Sequence, residues 1–231
     1  MNSFSNAKNA IKYYVVALFC LQFSLQISVL SAQTTVDKSL PSPIVWLEGE
    51  ANKMLVQIDS QRIQLDQNEK SLEDFLYKNA LPFWDTKLMA RGLGGKQYRK
   101  ASLSLKNSLE EQWKLTLVRY FLKAFPYYNK QRLRLEKTMN CPARNRCWLG
   151  TTVDIAGKKG IDLDFYVRWK KPKSGQSKWQ VIDMRVAGVS LLKHKRGETR
   201  EVLNKQGIDG LINALKIKNS VLSLTALVPG A

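Results

Sequence analysis

Residues 179–215 read WQVIDMRVAGVSLLKHKRGETREVLNKQGIDGLINAL, and this stretch sets the reading of the whole chain. Trp179–Val186 has the length and apolar content of a β-strand, and Gly188 ends it. A charged helical pattern follows, stops at Gly207, and resumes as a short second helix over Ile208–Leu215. A strand that feeds directly into a helix pair implies a sheet with helices packed against it.

Upstream, more strands lead into that one. Ile161, Leu163, Phe165, Val167 and Trp169 alternate with Asp162, Asp164, Tyr166, Arg168 and Lys170, a period-two pattern. Leu149, Thr151, Val153 and Ile155 alternate in the same way, as do Leu133, Leu135 and Met139. Lys158–Gly160 reads as a turn, and Lys171–Lys178 as a long hairpin loop. Four sequential strands with short connections predict an antiparallel meander.

The first half is helical. Ile44, Leu47, Ala51, Met54, Leu55 and Ile58 predict an amphipathic helix between Pro41 and Ser60. A short helix is expected near Ser71–Asn79, N-capped by Ser71 and broken at Leu81–Pro82. A third runs from Asp85 to Leu93 and stops at Gly94–Gly95. The longest spans Ser102–Phe125, with Leu105, Leu109, Trp113, Thr116, Leu117, Tyr120, Phe121 and Ala124 on one stripe. The expected fold class is α+β: a four-stranded antiparallel curved sheet with helices on one face, enclosing an apolar cavity.

Residues 1–32 carry Lys8 and Lys12, an apolar run from Tyr13 to Leu30, and the small residues Ser31 and Ala32. That is the pattern of a cleaved secretory signal, too short and too interrupted by Gln22 and Gln26 for a membrane span. Residues 33–220 are expected to form one domain and 221–231 a tail. Cys20 follows Phe19 rather than a small residue, which argues against a lipid-anchor site. The chain holds 37 Lys+Arg against 19 Asp+Glu; without Lys8 and Lys12 the balance is 35 against 19, or +16. Such an excess favours anionic partners, and export disfavours nucleic acid. In an exported chain the close pair Cys141 and Cys147 reads as a disulfide, although free thiols or a metal site are the alternatives for such a pair.

Catalytic groups are sparse. His194, the single histidine, lies among Lys193, Lys195 and Arg196, without a motif linking it to a nucleophile. Asp162 and Asp164 share a strand face with Arg168 and Lys170, as ion-paired surfaces do. No Gly-rich phosphate loop and no cofactor motif appears. Large apolar side chains are abundant at positions expected to face between the layers. The candidate lipid-facing set is Phe83, Met89, Leu93, Tyr98, Trp113, Leu117, Tyr120, Val153, Phe165, Val167, Trp169, Ile182, Met184 and Val186. Such a lining suits an acyl chain, whose burial releases about 0.8 kcal/mol per methylene. An acyl-chain ligand held this way is cargo, not cofactor.

Two motifs add a resemblance. Trp179, Asp183, Gly188-Val189-Ser190 and Gly207-Ile208-Asp209-Gly210-Leu211 form one. Asp85, Met89-Ala90-Arg91, Gly95-Lys96, Tyr98-Arg99 and Ala101-Ser102 form the other. Together, and in this order, they resemble the MlaC family of periplasmic phospholipid-binding proteins. The chain departs from that pattern at Thr86, at Lys195-Arg196 and at Thr199, where aromatic residues are common. The resemblance implies a monomeric periplasmic carrier with no enzymatic activity. It would shuttle phospholipid between an outer-membrane Mla lipoprotein complex and an inner-membrane Mla ABC transporter complex. Two other classes compete: an enzyme using Asp183 as acid or base in the cavity, and a ligand-free basic docking module. Lys193, Lys195, Arg196 and the Lys170–Lys178 loop are the exposed, charged candidates for a partner surface.

Overall fold

A computed structural model describes residues 39–131, 133–155, 158–171 and 175–225. The predicted signal segment 1–32 lies outside them, as does the end of the predicted tail.

Helix α1 (Pro43–Ser60) starts with Pro43 at its first position, where a missing N–H costs nothing; the Ser42 hydroxyl accepts from Val45 N. Two short helices follow, α2 (Arg62–Gln67) and α3 (Glu69–Phe75). Sequence periodicity missed α2. The α3 cap is Asn68, which accepts from Ser71 N, rather than Ser71 itself. A π-turn (Leu76–Ala80) and a 3-10 turn (Leu81–Phe83) then lead into α4 (Thr86–Lys100). Gly95 interrupts α4 at φ 55°, ψ −128°, where the sequence places its stop. Its neighbour Gly94 permits close packing: a Cβ there would meet Ile208 Cδ1 at 2.8 Å. Helix α5 (Leu103–Ala124) is capped by Ser102 and buries Leu109, Trp113, Thr116, Leu117 and Val118.

The sheet follows as β1 (Leu133–Ala143), β2 (Arg146–Ile155), β3 (Lys158–Lys170), β4 (Lys178–Val186) and β5 (Val189–Ser190), antiparallel and in sequential order. The expected count of four is corrected. A two-residue turn, Ala187 and Gly188 at φ 48° and 81°, folds β5 back onto β4. Trp84 adds a single parallel bridge to Val181 on the same edge of β4, the one away from β3, a sixth segment in all. Both additions are too short to show a period in the sequence. Lys158–Gly160, expected to turn, is instead the start of β3.

One face of the sheet is apolar. Register pairs Val167 with Val181, Trp169 with Trp179 and Phe165 with Met184, all within one hydrophobic core. Helix α1 lies against β1 and β2, while α4 and the last helix, α6 (Leu191–Thr225), reach the sheet through β4. Asp85 N donates to Val181 O (2.8 Å), so the start of α4 closes that edge of β4. Helices thus cover the apolar face and also wrap the β4 edge. Gly207 at φ 68°, ψ −160° breaks α6 where expected, and Gln97 Nε2 donates to Leu203 O (2.6 Å) beside the break. The second half runs on past Leu215, and 221–225, read as tail, are helical. Cys141 and Cys147 are joined, which pins the β1–β2 hairpin at its turn.

Candidate functional site

Much of the predicted lipid-facing set converges. Met89, Leu93, Trp113, Leu117 and Val167 are at most 1% exposed, and Tyr98 is buried in the same core. Phe83, Phe165, Trp169 and Met184 are half-buried and pack against it. Trp46 meets Phe83 edge-on at 6.5 Å, and Trp169 meets Trp179 at 5.5 Å. The result is a predominantly apolar zone between the sheet face and α4 and α5, with an aromatic fringe. One polar atom inside it has no partner among the described residues: Trp113 Nε1. An orphaned buried donor costs about 1–3 kcal/mol, and a ligand oxygen would relieve that cost.

Four of the expected residues fall elsewhere. Tyr120 faces polar company, with Lys195 Nζ 5.6 Å from its ring centroid. Val153 and Val186 lie toward the far ends of their strands, opposite Ile161 and Val189, outside the main core. Ile182 is displaced by a bulge. Val167 pairs with Val181 but Tyr166 pairs with Asp183, so Ile182 is an extra residue that turns toward the opposite face with Asp183. The sequence reading assumed unbroken alternation; it therefore took Ile182 as inward and left out Trp179 and Val181, which are 1% and 2% exposed in the core.

Asp183, the candidate acid or base, serves as an organiser. Its Oδ1 accepts from Met184 N (2.8 Å) and Leu192 N (3.0 Å), and its Oδ2 from the Ser190 hydroxyl. Ser190 Oγ in turn accepts from Lys193 N (2.9 Å). Asp183 and Ser190 together cap the start of α6, so the Asp-Gly-Val-Ser spacing is a turn-and-cap device. Three of the roughly four acceptor sites of this carboxylate are thereby taken by the turn and the helix cap.

The basic docking candidates also divide. Lys193 and Arg196 are exposed, whereas Lys195 is 2% exposed and donates to Glu198. Thr199, also buried, donates to Lys195 O (2.8 Å). Both are buried polar residues, and Lys195 reaches the ring of Tyr120 on α5. Glu198 collects His194 (3.0 Å), Lys195 and Lys218 (3.6 Å). Burial pushes the Glu198 carboxyl up, but Lys195, Lys218 and His194 outweigh it and hold the carboxyl below its ordinary value. On the outer sheet face burial pushes Asp164 up, against the pull of Arg185. Among the described residues, no His, Cys, Asp or Glu cluster could hold a metal ion, and no helix is long and apolar enough to cross a membrane.

The model of the MlaC protein family matches residues 48–217, more than half of the chain. The chain belongs to the MlaC family. Among its relatives is the Intermembrane phospholipid transport system binding protein MlaC of Haemophilus influenzae, 25% identical over 207 residues, covering 89% of this chain and 92% of that one. Among solved structures, a phospholipid-binding protein from Ralstonia solanacearum, in complex with a phospholipid, superposes with a TM-score of 0.69. It is 18% identical, and the match covers 79% of this chain and 99% of that one. At that identity the likeness shows a shared α+β fold. The MlaC motifs now have structural roles: Asp183 and Ser190 cap α6, and Gly95 and Gly207 break α4 and α6.

Proposed function

We propose that this MlaC-family chain is a periplasmic phospholipid carrier. Its acyl tails enter between the sheet face and α5, through the half-buried fringe of Phe83, Phe165, Trp169 and Met184, while the head group stays in water. The observation that carries this reading is the large apolar zone around Trp113 and Val167 in a chain of this family. The unpartnered Trp113 N–H supports it further, because a glycerol-ester oxygen is the acceptor a lipid would bring there. The printed name of the Haemophilus relative supports a transport role. On this reading the N-terminal segment is cleaved on export, the carrier is a monomer, and phospholipid is its cargo. It would exchange lipid with an outer-membrane Mla lipoprotein complex and an inner-membrane Mla ABC transporter complex. An enzymatic role for Asp183 finds no support in its three donors.

Native mass spectrometry of the mature protein, purified without detergent, tests the proposal. One phospholipid mass per chain, lost only on unfolding, is the expected result. Phe165→Glu is expected to abolish that adduct with the circular dichroism unchanged, because Phe165 is half-buried and its charge finds water outside the core. A protein that stays empty when offered phospholipid would overturn the reading.

A further inference from the structure

On the side of β4 away from the apolar zone, α4 and α6 form a cleft of about 480 Å³ with the outer sheet face. Its floor includes Leu88, Tyr166, Ile182 and Leu192. Five cationic side chains line it from three separate elements: Arg91, Lys96 and Arg99 on α4, Arg146 on β2, and Arg196 on α6. The one carboxylate in the lining, Asp183, is already held by its three donors. None of the five cations forms an ion pair among the described residues, although lysines and arginines elsewhere in the chain pair freely. The glycine break at Gly95 opens the cleft beneath Arg196, whose Nη2 would lie 4.0 Å from a Cβ at that position.

Five like charges gathered by topology repel one another, and a surface without a use for them would scatter or pair them. The apolar floor lowers the local dielectric and strengthens attraction for an anion. Guanidinium forks match the oxygens of phosphate two at a time. The volume suits a single phosphate-bearing group and is small for a folded acidic segment.

We infer that this cleft is a phosphate-binding site, separate from the apolar interior and independent of the carrier reading. The phosphate comes either from free phosphate in solution or from a lipid head group at a membrane surface. The test uses the mature protein in two arms at constant ionic strength. One arm titrates inorganic phosphate by calorimetry. The other measures binding to phosphatidylcholine vesicles with and without phosphatidylglycerol. Saturable binding in the first arm identifies free phosphate. Binding only to the phosphatidylglycerol vesicles identifies the head group.

In whichever arm binds, Arg91→Gln with Arg196→Gln is expected to weaken affinity at least about tenfold, because two charge-assisted contacts to the phosphate are lost. A charge-matched control away from the cleft, Lys123→Gln with Lys216→Gln, both exposed and outside the cleft lining, is expected to change it less than about twofold. Both arginines are exposed, so the fold is expected to survive; Arg99→Gln alone serves as a milder second variant. The inference is overturned if neither arm shows saturable binding, if the control weakens binding as much as the cleft variants, or if polyglutamate displaces phosphate in preference.

Discussion

Asp85 ties the long helical layer to the sheet, and replacing it in two ways separates its contributions. Its Oδ1 caps α4 by accepting from Leu88 N (3.1 Å), and its Oδ2 accepts from Arg168 Nη2 (2.6 Å); Lys170 lies 3.5 Å away. The carboxylate is 3% exposed, but Arg168 and Lys170 keep 22% and 36% of their side-chain exposure. Breaking a fully buried pair costs about 3–5 kcal/mol. Water reaching the two cations reduces that to about 2–3 kcal/mol here. Asp85→Asn keeps a competent cap, so its expected cost is that figure alone. Asp85→Ala also loses the cap, worth about 1 kcal/mol more. Urea unfolding followed by circular dichroism reads both. Equal costs for the two variants, or a loss below about 1 kcal/mol for Asp85→Ala, would refute the assignment of Asp85 as both cap and ion-pair partner.

Further predictions rest on other elements. Ala187→Asn converts the β4–β5 turn to Asn-Gly, the pair suited to two positive φ angles, and is expected to raise stability by about 0.5–1 kcal/mol in the same urea assay. Because Glu198 is held below its ordinary value near 4.5, its contribution is complete above that value and is lost as pH falls through the lower folded one. The stability gap between the parent and Glu198→Gln is therefore expected to be full above the ordinary value near 4.5 and to close as pH falls below it; a gap constant with pH would contradict it. Reducing the Cys141–Cys147 bond frees a loop of about seven residues and is expected to lower stability by about 2.4 kcal/mol, read as a shift in the urea midpoint between oxidised and reduced protein.

The sequence carried the parts of this fold that repeat. A stripe of six or more positions, nearly all apolar, made α1 and α5 visible, and strict alternation did the same for β3. Gly95 and Gly207 marked helix breaks because few other residues tolerate such backbone angles. What stayed hidden was short or depended on distant partners. Helix α2 has six residues and β5 two, below any useful period. That Lys195 is buried could not be read from its charged neighbours, because its partner is one turn along at Glu198 and its packing neighbour, Tyr120, lies on another helix. The basic cleft was invisible for the same reason: Arg91, Arg146 and Arg196 are far apart in sequence and meet only through topology. Within the apolar zone, residue type was enough for Met89, Trp113 and Val167, but not for β4.

That strand holds the last consequence. Were β4 to pair with β3 without interruption, Asp183 would fall opposite Phe165 and point into the greasy layer, and Met184 would point to water. The supernumerary residue at Ile182 shifts the count by one, so a single ribbon stays in phase with two different chemistries along its length. Before the offset it offers Trp179 and Val181 to the interior; at the offset it turns Ile182 and Asp183 toward the cations. Insertions and deletions in this strand should therefore be judged by parity: an odd change exchanges the two chemistries, while an even one preserves them.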